Sequence, residues 1–420
     1  MAKHTLPNKT AIVLAGGGTR GAYEAGVIHY MRTQLPQRVA ANLNFKVMVG
    51  ASVGAINAAY MAATANDPTY QGSNIVALWE NIQTTDIYRR GPITLGKFLA
   101  KTAMAITSHL VNFKSLKPKD ATLHFQGLFD TQPFFHYLVK HCPWNQIHKN
   151  IESGLFESLV ISATNVHSGM VELFIEHGVP LPENMNFHVR PGRIQAKHVI
   201  ASAALPVLFP PVPIHGIYYN DGGLRLKTPL APAVSLGANR VLIIGTRYTP
   251  PQMSTRENEI SQEAQLQHIP NLANILGKFF NAVFLDRLET DREQLARINR
   301  ILEACKANTT PEVFDKICAE SQTQSIETLT ITPTMDIASF VDETMRQSYK
   351  KLKSMGIMER AILRLLEIDE NHGSDLLSYF LFEKSYIKKL VGLGFDDARR
   401  KHGQLLEFAE KTLEENNAKR

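Results

Sequence analysis

The chain has 420 residues, 44% of them hydrophobic and 20% charged, with a formal net charge of +6. That is the composition of a soluble globular protein of one to three domains, and its slight basic excess is what a solvated surface carries without any nucleic-acid partner. The three cysteines, Cys142, Cys305 and Cys318, are too few and too scattered for a disulfide framework or a cysteine-based zinc site, which favours a reducing compartment. The start "MAKHTLPNKTAIVLAGGG" has no long apolar core ending in a cleavage site, and no run approaches the roughly 18 apolar residues of a membrane span. The sequence therefore predicts a cytoplasmic protein without signal peptide or transmembrane segment, peripheral to any membrane it meets.

In chain order, Ala11 to Ala15 and Phe45 to Val49 read as buried strands, with a helix from about Ala22 to Thr33 between them. Such a β-α-β unit predicts parallel strands covered by helices. An alanine-rich helix follows the second strand. Between Asp86 and Asp120 lie seven basic residues and no acidic one: Arg89, Arg90, Lys97, Lys101, Lys114, Lys117 and Lys119. Inside that region Leu95, Phe98, Leu99, Thr102, Ala103, Ile106, Leu110 and Phe113 fall on one helical stripe. The stripe has two readings, a core-facing helix or a cap lying on an anionic lipid surface.

Further on, "SLVISATNVHSGMVELFIE" reads as strand, polar turn and strand, "PVPIHGIYYNDGG" as a hairpin ending at Asp221, and "RVLIIGTRY" as another buried strand. From about Pro251 the text turns helical, interrupted by one strand in "IETLTITP" that is expected to return to the same sheet. The last helix is charged and is expected to fray. The fold class expected is α/β, a parallel-rich central sheet covered by helices with a mostly helical C-terminal extension. The boundaries are 8–248 for the first part and 249–420 for the extension, whose returning strand lies near 326–332.

Two motifs carry chemistry. "GASVG", Gly50 to Gly54, places Ser52 between two glycines where the second strand meets a helix; G-x-S-x-G in that setting is a nucleophile elbow. The bland alternative is a tight connection with glycines for close packing. "GGGTRG", Gly16 to Gly21, runs from the first strand into a helix. It matches the dinucleotide fingerprint G-x-G-x-x-G, but that site needs an acid about 20 positions on, and no Asp or Glu occurs between Glu24 and Asp67. The other reading is a set of bare backbone N–H groups at a helix N-terminus, able to hold an oxyanion if a nucleophile lies beside it. Consecutive parallel strands are often neighbours, which would bring loop and elbow to one end of the sheet.

Ser52 needs a base, usually a histidine held by a carboxylate. Fifteen histidines are present, yet none sits in an evident strand-end motif downstream, and His268, His372 and His402 fall in helical or loop text. Asp221 follows the apolar "IYYN" and precedes Gly222 and Gly223. By itself an Asp-Gly turn explains it equally well.

"GGGTRG", "GASVG" and "DGG", in this order and each at a strand end, resemble the patatin-like phospholipase family. "ASAALPVLFPPV" resembles the block before that family's aspartate, and "DLLSYFLFEKSYIKKLVGLGFDDARR" the helical extension of its bacterial members. The resemblance implies a patatin-like, α/β-hydrolase-related fold and hydrolysis of carboxylic ester bonds of lipids through an acyl-enzyme. It implies Ser52 as nucleophile, Asp221 as general base without histidine, and an oxyanion hole from Gly16, Gly17 and Gly18 with Thr19, Arg20 and Gly21. No metal or cofactor is implied. The substrate implied is a phospholipid or lysophospholipid, with peripheral contact to an anionic membrane and no nucleic acid. Ala15 stands where many relatives carry an acid, and "DGG" replaces the commoner Asp-Gly-Ala. Two other readings compete: a regulatory or partner-activated lipid-binding protein on the same scaffold, and a nicotinamide or flavin enzyme already weakened by the missing acid.

Overall fold

The computed structural model describes residues 9–88, 127, 129–183, 185–206, 208–226, 229–248, 287–321, 323–341, 343–344 and 377–417. The basic run from Arg89 to Lys119, the amphipathic stripe at 94–113 and the start of the extension at 249–286 lie outside these residues.

The chain opens with β1 (Lys9–Leu14), a 3-10 turn at Gly18–Arg20, α1 (Gly21–Thr33) and α2 (Gln37–Asn42). Then come β2 (Val47–Ala51), α3 (Val53–Ala63), α4 (Pro68–Glu80), α5 (Thr84–Ile87), α6 (Gln132–His141) and α7 (Trp144–Glu152). The antiparallel pair β3 (Ser158–Asn165) and β4 (Val171–His177) is followed by β5 (His188–Pro191), α8 (Ala196–Ser202) and the hairpin β6 (Val212–Ile214) and β7 (Ile217–Asp221). A second 3-10 turn, Gly222–Leu224, leads to α9 (Leu230–Ser235) and β8 (Ala238–Ile244). The C-terminal part supplies α10 (Arg287–Asn308), α11 (Pro311–Ser321), β9 (Glu327–Ile331), α12 (Lys384–Arg400) and α13 (His402–Asn417).

The sheet runs β5-β4-β3-β2-β1-β8-β9, with β7 pairing both β3 and β6. Its centre, β3-β2-β1-β8-β9, is parallel throughout, as the β-α-β reading requires. β2 is shifted two residues from the expected span, because its ladder to β3 continues through Gly50 and Ala51 up to the serine. Side chains alternate across each strand. Ile12 and Leu14 enter a large core under α1, α3 and α12, while Ala11 and Val13 enter a smaller one under α9.

The expected returning strand is present: β9 lies parallel to β8 at the edge of the same sheet. α12 crosses α1 so closely that a Cβ on Gly26 would fall 2.1 Å from the Val391 carbonyl oxygen, and one on Gly394 2.0 Å from that of Tyr23. Backbone packs on backbone there, and only glycine leaves room. The contact is pinned by Tyr23 Oη, which donates to Asp397 Oδ2 at 3.2 Å. Ile331, Tyr379, Tyr386 and Leu390 belong to the same core as Ile12 and Tyr23, so the two parts of the chain share their interior. The last helix is held better than its charge suggests: Leu405, Phe408 and Ala409 are buried, and Thr412 Oγ1 meets Thr10 Oγ1 of β1 at 3.3 Å. Among the described residues no helix is long and apolar enough to cross a membrane.

Candidate active site

Ser52 follows directly on β2 and caps α3. To turn from strand to helix in one step its backbone takes φ 53° and ψ −125°, a left-handed region that a side chain tolerates only when its surroundings hold it there. The flanking glycines are required by space. A Cβ on Gly50 would sit 2.3 Å from the Gly54 carbonyl oxygen, and one on Gly54 2.3 Å from that of Leu14. The N–H of Ser52 donates to Ser202 Oγ at 2.9 Å, so the last residue of α8 holds the elbow from a different part of the chain.

Asp221 reaches the serine through topology. β4 occupies one edge of β3, and β2 and β7 share the other, meeting end to end. Ala51 stands opposite Ser162 and Asp221 opposite Ala163, the next residue along. Ser52 Oγ donates to Asp221 Oδ2 at 2.6 Å, a charge-assisted distance. Asp221 Oδ1 accepts from the Gly223 N–H at 2.7 Å, and a Cβ on Gly222 would sit 2.1 Å from the Ser162 carbonyl oxygen. The carboxyl is fully buried, and that burial pushes its pKa up to about 7 against the opposing pull of the Ser52 and Gly223 hydrogen bonds.

The glycine turn lies against the elbow: a Cβ on Gly16 would meet Ser52 Cβ at 2.9 Å. The turn has its own bonds to make. Thr19 N–H goes to the Tyr379 carbonyl at 3.0 Å, Arg20 N–H to that of Gly17 at 3.2 Å, and Gly21 N–H to those of Gly18 and Thr19. The expectation that the whole stretch Gly16 to Gly21 offers donors is therefore narrowed, since the N–H groups of Thr19, Arg20 and Gly21 are already engaged. Those of Gly16, Gly17 and Gly18 take no part in these bonds. Gly18 adopts φ 59°, the left-handed region that favours glycine. Thr246 Oγ1, just past β8, donates to the Gly16 carbonyl at 2.7 Å. Beneath the turn Asn57 Nδ2 donates to the Gly21 carbonyl at 2.9 Å and to Glu24 Oε2 at 2.7 Å, while Asn57 Oδ1 accepts from the Trp79 indole N–H at 2.8 Å. Burial raises the Glu24 carboxyl well above the ordinary range.

Among the described residues no histidine bonds Ser52 or Asp221. His198 shares α8 with Ser202, but its Nδ1 accepts from the Gln195 N–H at 2.9 Å and its ring lies against Phe174; burial lowers its pKa to about 4. His402 instead bonds Tyr30 Oη. His268 and His372 lie outside the described residues.

Above the serine lies an apolar chamber walled by Ile56, Leu78, Trp79, Phe134, Tyr137 and Phe209, and closed by Phe380 and Phe382 of the C-terminal part. It holds about 30 Å³ of free space, enough for one or two waters. Ser52 is 2% exposed. Among the described residues no group of three or more His, Cys, Asp or Glu is placed to hold a metal ion.

Sequence reasoning passed over Ser202, Thr246, Ser378 and Tyr379. Ser202 lies in the block already noted before Asp221, Ser378 and Tyr379 in the C-terminal block noted as resembling the family's extension, and Thr246 in "RVLIIGTRY", but nothing local to any of them marks a role at the site.

No curated protein matches the chain. Among solved structures it is similar to VipD from Legionella pneumophila, at 13% identity over 93% of this chain and 92% of that one, with a TM-score of 0.27. It is similar to human GIVD cytosolic phospholipase A2 at 11% identity over 98% of this chain but 60% of that one, with a TM-score of 0.40. The ExoU–SpcU complex from the type III secretion system of Pseudomonas aeruginosa matches at 16% identity over 94% of this chain and 76% of that one, with a TM-score of 0.23. With all three TM-scores this low, the family match carries the assignment. The model of the patatin-like phospholipases fits residues 12–234, more than half of the sequence, and the chain belongs to that family of lipid hydrolases.

Proposed function

We propose that the protein is a serine acyl hydrolase that cleaves carboxylic ester bonds of phospholipids or lysophospholipids, with Ser52 as nucleophile and Asp221 as general base. The observation that carries this reading is the 2.6 Å hydrogen bond from Ser52 Oγ to Asp221 Oδ2 inside a buried apolar site. An ordinary carboxylate is too weak a base near neutral pH, whereas one with a pKa of about 7 is matched to the task. Asp221 accepts the hydroxyl proton as Oγ attacks the ester carbonyl. The oxyanion that forms is received by the N–H groups of Gly16, Gly17 and Gly18, aided by the positive end of α1. The same proton passes to the leaving alcohol, and the acyl group stays on Ser52 until water, activated by Asp221, releases it as a fatty acid. The lining of the chamber by Ile56, Leu78, Trp79 and Phe134 has the apolar chemistry an acyl chain requires, and the chamber must widen to admit one.

Labelling by a fluorophosphonate probe, located by peptide mass spectrometry, tests the nucleophile, and a panel of phospholipids, lysophospholipids and triacylglycerols read as released fatty acid tests the substrate. Adduct at Ser52 together with fatty-acid release is the expected result; adduct elsewhere, or none with any lipid, contradicts it.

A second reading is favoured by one observation: the chamber is too small for an acyl chain and the serine is almost sealed. Activity would then require a lipid surface or a partner protein to open the site. Labelling that is absent in buffer and appears with vesicles would select it.

A further inference from the structure

The glycine turn is held by a segment some 360 residues away in sequence. The Arg20 side chain is 3% exposed, and its Nε and Nη2 donate to Ser378 Oγ at 3.1 and 2.6 Å. Its guanidinium carbon lies 4.4 Å from the centre of the Tyr379 ring. Beside it the Tyr379 carbonyl accepts twice from Thr19, from the N–H at 3.0 Å and from Oγ1 at 3.1 Å. Gly18 lies so close that a Cβ there would fall 2.2 Å from the same carbonyl oxygen. Ser378 is itself anchored, its carbonyl accepting from Tyr386 Oη of α12 at 3.3 Å. No carboxylate pairs with Arg20 among the described residues, so a cation is buried against a hydroxyl and a ring, an arrangement that burial makes costly.

We propose that Ser378 and Tyr379, far beyond the matched residues 12–234, are positioning residues of the active site. They clamp Thr19 and Arg20, and through them fix the direction of the Gly16, Gly17 and Gly18 N–H groups. This rests on the reading of the glycine turn as the oxyanion hole. Three successive glycines have little stiffness of their own. An oxyanion donor acts only if it already points where charge develops, and one such donor is typically worth 10²–10³ in turnover. The Tyr379 carbonyl also occupies the Thr19 N–H, and Tyr379 lines the same chamber as Gly18 and Ser52, so the turn is held directly beside the nucleophile.

The test compares Ser378→Ala, Ser378→Thr and Thr19→Val in the full chain. Kinetics on a soluble short-chain ester are expressed per Ser52 titrated with fluorophosphonate, so that a smaller folded fraction does not count. Ser378→Ala is expected to lower kcat by about 10- to 100-fold with KM within threefold, a fraction of what one oxyanion donor supplies. Ser378→Thr, which keeps the acceptor, is expected to stay within about threefold of wild type, the size of a preserved hydrogen bond. Thr19→Val removes one hydrogen bond from a residue that stays in place, and is expected to lower kcat about three- to tenfold. It also decides the matter should Ser378→Ala not fold. A second readout is the affinity for a trifluoromethyl ketone, which forms a tetrahedral oxyanion on the serine, against the matching alcohol, which does not. If wild type does not prefer the ketone, the oxyanion reading itself is wrong. If wild type prefers it and the folded clamp variants prefer it equally, or if either loss falls on KM with kcat intact, the clamp is overturned while the oxyanion reading stands.

Discussion

At the scale of single residues, the site depends on how Asp221 is buried. A base that titrates near pH 7 makes the rate depend on its ionised fraction. kcat/KM for a soluble ester is expected to rise with pH through an acid limb near 7 and then level; a limb near 4 would mean a hydrated, ordinary carboxylate. Stability runs the other way. The folded chain holds this proton more tightly than the unfolded one, so the associated stabilisation is complete below about pH 4 and is lost as pH rises through about 7. The full shift corresponds to about 4 kcal/mol. Asp221→Asn carries no such proton. In urea melts its stability relative to wild type is expected to improve steadily from pH 4 to pH 8, while its ester hydrolysis is nearly abolished. A stability difference that ignores pH would contradict the account. Ser52, Asp221 and the glycines were legible because short polar or small residues at the ends of apolar runs stand out in any chain. Ser202 was not, because a serine ending a short helix carries no sign that a backbone N–H 150 positions earlier will seek its hydroxyl.

Among elements, most strands are legible from their apolar runs, with β2 displaced by two residues; β5, "HVRP", has no such run and is missed, and the lateral arrangement is not readable. Nothing in "IYYND" says that β7 will continue the lane of β2 from the opposite direction, and that placement is what delivers Asp221 to Ser52. The crossing of α1 and α12 was equally hidden, since a glycine inside a helix reads only as a mild weakness. Its space is already taken by the Val391 carbonyl. Gly26→Ala is expected to force the helices apart and cost about 1–3 kcal/mol, the usual size of an overpacking penalty. Thermal melts check the cost, and kcat per titrated serine is expected to stay near wild type, because Gly26 touches α12 and not the glycine turn. A fully stable Gly26→Ala would show that the crossing is looser than its backbone contacts indicate.

For the whole molecule, the C-terminal part contributes a sheet edge, a cover for α1 and a wall of the apolar chamber. A chain ending at residue 248 would leave β8 as an open edge and expose the face of α1 around Tyr23 and Val27. Such a fragment is expected to be aggregated or molten, with weak near-ultraviolet circular dichroism; a fragment that melts cooperatively and hydrolyses esters would refute this dependence. The returning strand already implied that the C-terminal part is not an independent domain, but which residues form the shared core is a matter of long-range packing that periodicity does not encode. The central claim is that the buried Ser52–Asp221 pair hydrolyses lipid esters. It is tested most directly by fatty-acid release from phospholipid and lysophospholipid vesicles, comparing wild type with a Ser52→Ala variant of equal melting temperature. Release by wild type and a loss on the order of 10⁶-fold in the variant is the expected result, as for other serine hydrolases stripped of their nucleophile. Release by Ser52→Ala within tenfold of wild type would contradict it.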